Sequence, residues 1–131
     1  MIEPPKVDYI ILCDAVAQDP QGKKTLYGLF DRIWSKKIPF NHRQFYIALR
    51  LIEGRGKHKI GLQIIDNEKE IVFKAPDEVP VEFSGPLGVV EFIAEFQDFQ
   101  FKKDGYYEIR VTYDGQILEG YAKKFLIEKI E

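Results

Sequence analysis

The sequence predicts an all-β fold, a two-sheet antiparallel β-sandwich of seven or eight strands, and three observations support this prediction. The chain opens with a nearly continuous apolar run at residues 7–16, a polar turn at 19–24 and a second run at 25–34, as in a β-hairpin. Apolar and polar residues alternate with period two in most later segments. Turn residues separate these segments at nearly even spacing, and no window keeps a helical period beyond about two turns.

The strands are expected near residues 7–16, 24–34, 45–52, 58–65, 71–83, 89–101, 105–113 and 116–128, the fifth being interrupted by prolines. Asp114-Gly115, between the last two, is typical of a two-residue type I′ turn with positive φ at both positions. Such a strand count favours an immunoglobulin-like or jelly-roll-like sandwich, with a small closed barrel as the alternative. A single domain over residues 1–131 accounts for the length.

One strand breaks the alternation. In residues 89–101 the apolar positions are even up to Phe96 and odd afterwards, at Phe99 and Phe101. A slip of one residue is typical of a β-bulge or of the end of one strand's pairing. We expect Phe99 and Phe101 to lie, with Ile93, on the face opposite Phe96. That second face then needs a covering loop or another chain.

Composition excludes several classes of protein. The chain is 45% apolar and 31% charged, which is typical of an ordered globular domain. A net charge of −2 gives no overall field to attract nucleic acid or anionic lipid, so we expect neither as a partner. The apolar run after Val7 is too short and too charged for a signal peptide, and no stretch reaches the length of a membrane span. The expected location is the cytoplasm.

Short motifs resemble a known family. They are Pro5-Lys6-Val7-Asp8-Tyr9, Leu12-Cys13-Asp14, Gly22-Lys23, Gly28-Leu29-Phe30-Asp31-Arg32-Ile33, Ile38-Pro39-Phe40 and Gly105-Tyr106-Tyr107. In this order they resemble the frame of a family of small uncharacterised bacterial proteins, a domain of unknown function. Ile38 departs from that frame, which has an aromatic residue before the proline. The resemblance implies a β-sandwich and transfers no catalytic residue.

No residue type with catalytic or metal-binding chemistry occurs in a convincing pattern. Cys13 shares its strand parity with Val7, Tyr9 and Ile11, so it is predicted to be a buried small apolar residue rather than a nucleophile. His42, in a polar loop, and His58, at a strand start, lack a third ligand for zinc. The sequence therefore predicts no catalytic residue, no cofactor and no metal ligand.

Two further features of the sequence bear on function. Asp31-Arg32 interrupts an apolar strand, where charges must be paired or exposed. The favoured interpretation is that one of the two faces water and the other ties down a neighbouring loop. The alternative is that they form the polar floor of a groove lined by Trp34 and Tyr27; Trp34 is expected at the rim of the core. Separately, loop carboxylates at one end of the sandwich could bind calcium if they converge. They are Asp14, Asp19, Glu53, Asp77 and Asp114.

The function expected from these observations is a non-catalytic binding or assembly module that self-associates, most simply as a homodimer, or that binds a protein partner. The alternative is a calcium- or anion-dependent ligand-binding domain that uses the loops at one end. An enzyme is the least favoured class.

Overall fold

The computed structural model describes residues 4–75 and 77–130, and this part of the chain contains eleven strands and no helix. The strands are β1 (Lys6–Gln18), β2 (Lys24–Phe30), β3 (Arg32–Ser35), β4 (Phe40–Ile52), β5 (Gly56–Asp66), β6 (Ile71–Lys74), β7 (Val79–Phe83), β8 (Val90–Phe101), β9 (Gly105–Tyr113), β10 (Gln116–Ile117) and β11 (Lys123–Lys129). The all-β prediction is confirmed. No helix long and apolar enough to cross a membrane occurs among these residues.

The strands form two sheets. The four-stranded sheet has the order β2-β1-β4-β8. The seven-stranded sheet has the path β3-β11-β9-β5-β6, with β7 also beside β5 and β10 beside β9. Three predicted strands are divided: residues 24–34 into β2 and β3, residues 71–83 into β6 and β7, and residues 116–128 into β10 and β11.

The prediction of an entirely antiparallel structure is wrong at β3. The expected strand at 24–34 ends at Asp31, where the chain bends and leaves the four-stranded sheet for the seven-stranded one. The crossing takes a single residue and makes no hairpin, and β3 then lies parallel to β11, with Ile33 opposite Ile127. The charge at Asp31 therefore marks a change of sheet.

Side chains from both sheets share one apolar core. Phe101 of β8 lies 5.3 Å from Tyr107 of β9 and 6.0 Å from Phe125 of β11, measured between ring centroids. Phe73 of β6 lies 4.9 Å from Phe96 of β8 in an edge-to-face contact. Aromatic pairs at these separations add to the stability that area burial provides.

The slip in β8 is real, but its predicted consequence is wrong. Asp98 has a left-handed backbone, with φ of 50°, in the middle of the strand. This conformation shifts the alternation by one residue, so Phe99 and Phe101 turn to the core instead of away from it. Phe99 lies 5.7 Å from Phe96 and 6.1 Å from Phe45 between ring centroids, and Phe101 is buried. Ile93 remains on the opposite face, beside Ala48 of β4.

The hairpin at Asp114-Gly115 is confirmed. Its two residues have φ of 49° and 82°, and Tyr113 is paired with Gln116 across them. Positive φ at both central positions is the property that a type I′ turn requires.

Candidate functional site

An exposed apolar surface lies along β2 and β3, residues 24–35, which we call the β2–β3 flank. Each strand is the last in the order of its sheet, so each has a neighbour on one side only among the described residues. Three large side chains stand out from it: Tyr27 is 54% exposed, Leu29 62% and Trp34 54%. Large exposed apolar groups that lie close together are typical of interaction surfaces.

Within the four-stranded sheet, β2 pairs with β1, and the two strands are in close contact. A Cβ atom on Gly28 would overlap the carboxylate of Asp14, so this carboxylate lies directly against the backbone of β2. Cys13 is the register partner of Leu29 and is fully buried, as predicted. Burial, followed by the nearby Asp14 carboxylate, raises the pKa of the Cys13 thiol. A raised pKa reduces the thiolate fraction, so Cys13 is poorly suited to nucleophilic chemistry.

The predicted face of Cys13 needs one correction. The register of β1 against β4 shifts between Val7 and Tyr9, because Val7 pairs with Leu51 while Tyr9 pairs with Arg50. Val7 therefore packs against the core, whereas Tyr9 and Cys13 lie on the opposite face. Alternation alone could not reveal this bulge.

Asp31 and Arg32 have separate roles. The backbone carbonyl of Asp31 accepts a hydrogen bond from the N–H of Leu126 at 2.9 Å, which fixes the crossing to β11. The Arg32 guanidinium lies 4.7 Å over the centre of the Trp34 ring, and its Nη2 is 3.7 Å from Oε1 of Glu128. Arginine over an indole face is a cation–π arrangement. Trp34 is thus held on the outer surface, and the prediction that it lies at the core rim is wrong.

The groove lined by Trp34 and Tyr27, the alternative interpretation of Asp31-Arg32, is not formed. Tyr27 belongs to the four-stranded sheet and Trp34 to the seven-stranded one. A hollow of about 240 Å³ does lie at the crossing, where Asp31 and Leu29 contribute to its lining with Lys123. Neither aromatic ring lines it. The flank is therefore an apolar ridge with a small hollow beside it.

His58 joins three segments in a hydrogen-bonded cluster that the sequence did not reveal. Its Nδ1 lies 2.7 Å from Oδ2 of Asp114, and its Nε2 lies 2.6 Å from the carbonyl oxygen of Arg55 and 3.1 Å from the hydroxyl of Tyr113. The backbone N–H of Lys59 donates to Oδ1 of Asp114 at 2.8 Å; this bond, then the contact with His58, lowers the pKa of Asp114. Both ring nitrogens are engaged, so His58 has none free to act as a general base. The cluster forms because β5 pairs with β9, and the spacing of residues in the sequence does not show this pairing.

The prediction that His42 lies in a loop is wrong. It lies within β4 rather than in a loop, and its ring is 5.4 Å from Phe45 and 5.7 Å from Phe40 between centroids. Its Nε2 is buried without a hydrogen-bond partner among the described residues. Burial lowers the pKa of His42, against a smaller opposing effect of Asp14. His42 and His58 lie in different sheets and do not form a joint site.

Four of the five loop carboxylates each have a separate partner or contact within the chain. Asp19 accepts the backbone N–H groups of Gln21 and Lys23 at 2.9 and 2.8 Å, and Glu53 is 3.1 Å from Lys6 Nζ. Asp14 lies against β2, and Asp114 binds His58. In residues 4–75 and 77–130, no three His, Cys, Asp or Glu side chains gather as a metal site would need.

Comparison with known proteins places the sequence in a family without assigning an activity. A family model described as a family of unknown function, DUF6941, matches residues 8–122, which confirms the resemblance drawn from the short motifs. No curated protein matches the sequence. The fold is similar to that of the Pseudomonas fluorescens alkylpurine DNA glycosylase AlkC bound to DNA containing an abasic site analogue, with a TM-score of 0.54 and 10% identity. That match covers 95% of this chain and 30% of the glycosylase chain, and it bears on the fold alone.

Proposed function

We propose that this chain, which belongs to the family of unknown function DUF6941, is a non-catalytic assembly module that pairs with a second copy of itself through the β2–β3 flank. The observation that supports this proposal is an open β2 edge beside the exposed Tyr27 and Leu29. The proposal includes face-to-face packing of the two sheets as a sandwich, a cytoplasmic location and a bacterial source.

The sequence of β2 suits edge pairing. Proteins usually protect an open strand edge with a charge, a proline or a bulge. Residues 25–30 carry no charge and no proline, and Gly28, with φ of 67°, is the one irregular position. The opposite edge strand of the same sheet, β8, carries Glu91, Glu95 and Asp98. Two β8 strands side by side would bring these charges together, so β2 is the better edge for self-pairing.

The strand is also self-complementary. Twofold pairing is the commonest form of homo-oligomer, and it brings the same patch of each copy together. If two antiparallel β2 strands meet with Tyr27 at the twofold axis, Lys23 stands opposite Asp31 of the second copy. This arrangement joins the two four-stranded sheets into one continuous sheet and places Leu29 beside the second copy's strand. Opposite charges directly across such a pair are favourable.

Light scattering coupled to size-exclusion chromatography, at micromolar concentration, tests the proposal. Wild-type protein is expected to have the mass of a dimer. Leu29→Lys is expected to weaken the dimer at least tenfold, because burying a leucine contributes about 1.5–3 kcal/mol and about 1.4 kcal/mol is tenfold in affinity. Leu87→Lys is the matched control, since Leu87 is 66% exposed in the turn between β7 and β8. A monomeric wild type, or equal dimerisation of the two variants, would refute the proposal.

The alternative of a calcium- or anion-dependent ligand-binding domain has less support. Calcium binding would need the loop carboxylates to converge, but four of the five have separate partners or contacts within the chain. A ligand that binds only the folded state must raise the melting temperature. Thermal unfolding with added calcium or phosphate therefore tests this alternative, and a clear rise with calcium would favour it over self-assembly.

A further inference from the structure

A cavity of about 520 Å³ lies beside Gly61, on the outer side of the seven-stranded sheet. Its floor is formed by β5 and β9, and Ala75, Asp77 and Glu78 line one side. Small-molecule sites have volumes of about 300–1,000 Å³, so the cavity is large enough for a small metabolite. It lies apart from the β2–β3 flank and shares no residue with it.

The floor of the cavity carries buried polar side chains. Gln63 and Thr112 are each only 7% exposed. Oε1 of Gln63 accepts a hydrogen bond from Nη2 of Arg110 at 3.1 Å, and because arginine can only donate, the NH₂ group of Gln63 remains a donor for other partners. Oε2 of Glu78, which lines the cavity, is buried without a hydrogen-bond partner among the described residues. A buried polar group without a partner is costly, so this site suits a polar ligand.

Gly61 determines the shape of the floor. A Cβ atom at this position would lie 2.6 Å from Oγ1 of Thr112 and 3.2 Å from Cγ of Glu78. The absence of a side chain thus allows Glu78 to approach the floor. On the other side, Lys74 of β6 is the register partner of Gln63. A cation beside an amide and an anion beside a hydroxyl therefore face the same cavity.

The cavity offers both signs of charge. Lys59, Lys74, Asp77 and Glu78 all line it, and none of the ion pairs found in the described part of the chain includes any of the four. A ligand with one charge would meet repulsion as well as attraction here. A ligand with a carboxylate and an ammonium group close together matches both, and each charge-assisted hydrogen bond is stronger than a neutral one.

We propose that this cavity binds a small zwitterion, a free α-amino acid, with its carboxylate at Lys74 and Gln63 and its ammonium group at Glu78. The carboxylate accepts hydrogen bonds from the lysine ammonium and the glutamine NH₂ group. The ligand's ammonium group donates to the Glu78 carboxylate. Ala75 and Pro80 provide an apolar wall for a short side chain.

Isothermal titration calorimetry on the full chain, with each natural α-amino acid in turn, tests the proposal. At least one is expected to bind, and at least tenfold more tightly than the amine that lacks its carboxylate and the acid that lacks its ammonium group. Lys74→Gln and Glu78→Gln should each weaken binding at least tenfold. Lys57→Gln, on β5 but outside this cavity, is the matched control and should bind as the wild type does.

Three results would overturn the proposal: no binding of any natural amino acid at millimolar concentration, equal binding of an analogue with one charge, or equal binding by the three variants. Circular dichroism confirms that each variant is folded. Dimerisation through the β2–β3 flank does not depend on this site, so failure of one proposal leaves the other intact.

Discussion

Gly85 and Gly88 form a matched pair for measuring how tightly the turn between β7 and β8 is packed. Both have a left-handed backbone, with φ of 76° and 59°. A Cβ atom at Gly85 would meet nothing within 4 Å. At Gly88 it would overlap the carbonyl oxygen of Gly54 and Nη1 of Arg55, and would lie 2.8 Å from the Gly54 nitrogen. Because the Gly54 N–H donates to the Gly88 carbonyl at 3.1 Å, the two backbones cannot separate without losing that bond.

The two alanine variants should therefore differ in stability. A left-handed non-glycine residue costs about 1–2 kcal/mol, and this cost applies to both Gly85→Ala and Gly88→Ala. Overpacking adds about 1–3 kcal/mol at Gly88 alone, for a total of about 2–5 kcal/mol. For 131 residues, 1 kcal/mol corresponds to about 4 °C in melting temperature. We expect Gly85→Ala to lower it by about 4–8 °C and Gly88→Ala by about 8–20 °C.

Differential scanning calorimetry with urea unfolding as a second probe measures both losses. The urea slopes should match, since both variants should unfold from similarly compact states. Equal melting temperatures for the two variants would show that the turn can shift to accept a side chain. The close approach of Gly54 and Gly88 would then not be a constraint on this fold.

Three further predictions concern single side chains. Cys13→Ala should cost about 1 kcal/mol or somewhat more through a small cavity, and the native thiol should react slowly with a thiol reagent, so rapid labelling would contradict its burial. Because the pKa of His42 is lowered, the neutral ring contributes stability that is complete above its unfolded pKa of about 6.5 and is lost as pH falls through the folded value. The His42→Phe variant should lack this part of the acid slope in urea titrations, and an unchanged slope would refute the assignment. Gly115→Val should lower the melting temperature because φ is 82° there, whereas Glu128→Gln should not, and equal values would contradict the hairpin.

Local patterns were sufficient to predict most of the strands. Alternation places Phe45, Ile47 and Leu49 correctly on the core face, and the Asp114-Gly115 dipeptide correctly predicts its turn. These features depend on backbone preferences that act over a few residues. Positions such as Asp98 are harder, because a left-handed residue inside a strand reverses the facing of everything after it. Alternation alone therefore predicts Phe99 and Phe101 on the outer face, whereas the left-handed Asp98 turns both to the core.

The surfaces could not be predicted from the sequence, since they depend on which strands are neighbours. The cluster around His58 forms because β5 and β9 are paired, and the two residues that it joins, His58 and Asp114, are 56 positions apart. The exposure of Trp34 results from the change of sheet at Asp31. The mixed charge of the cavity at Gly61 needs β6 beside β5. No spacing rule in a single sequence reports such neighbours.

The parallel pairing of β3 with β11 has a consequence for synthesis. Ile33 pairs with Ile127, so the early strand cannot find its neighbour until more than ninety further residues have been added. At a ribosomal rate of about 5–20 residues per second, this delay lasts about 5–19 seconds. Throughout that interval Ile33 and Trp34 lack the strand that fixes them, and long-range pairing of this kind is intrinsically slow to form. The nascent chain therefore has a defined period of vulnerability to aggregation, which ends only when β11 emerges.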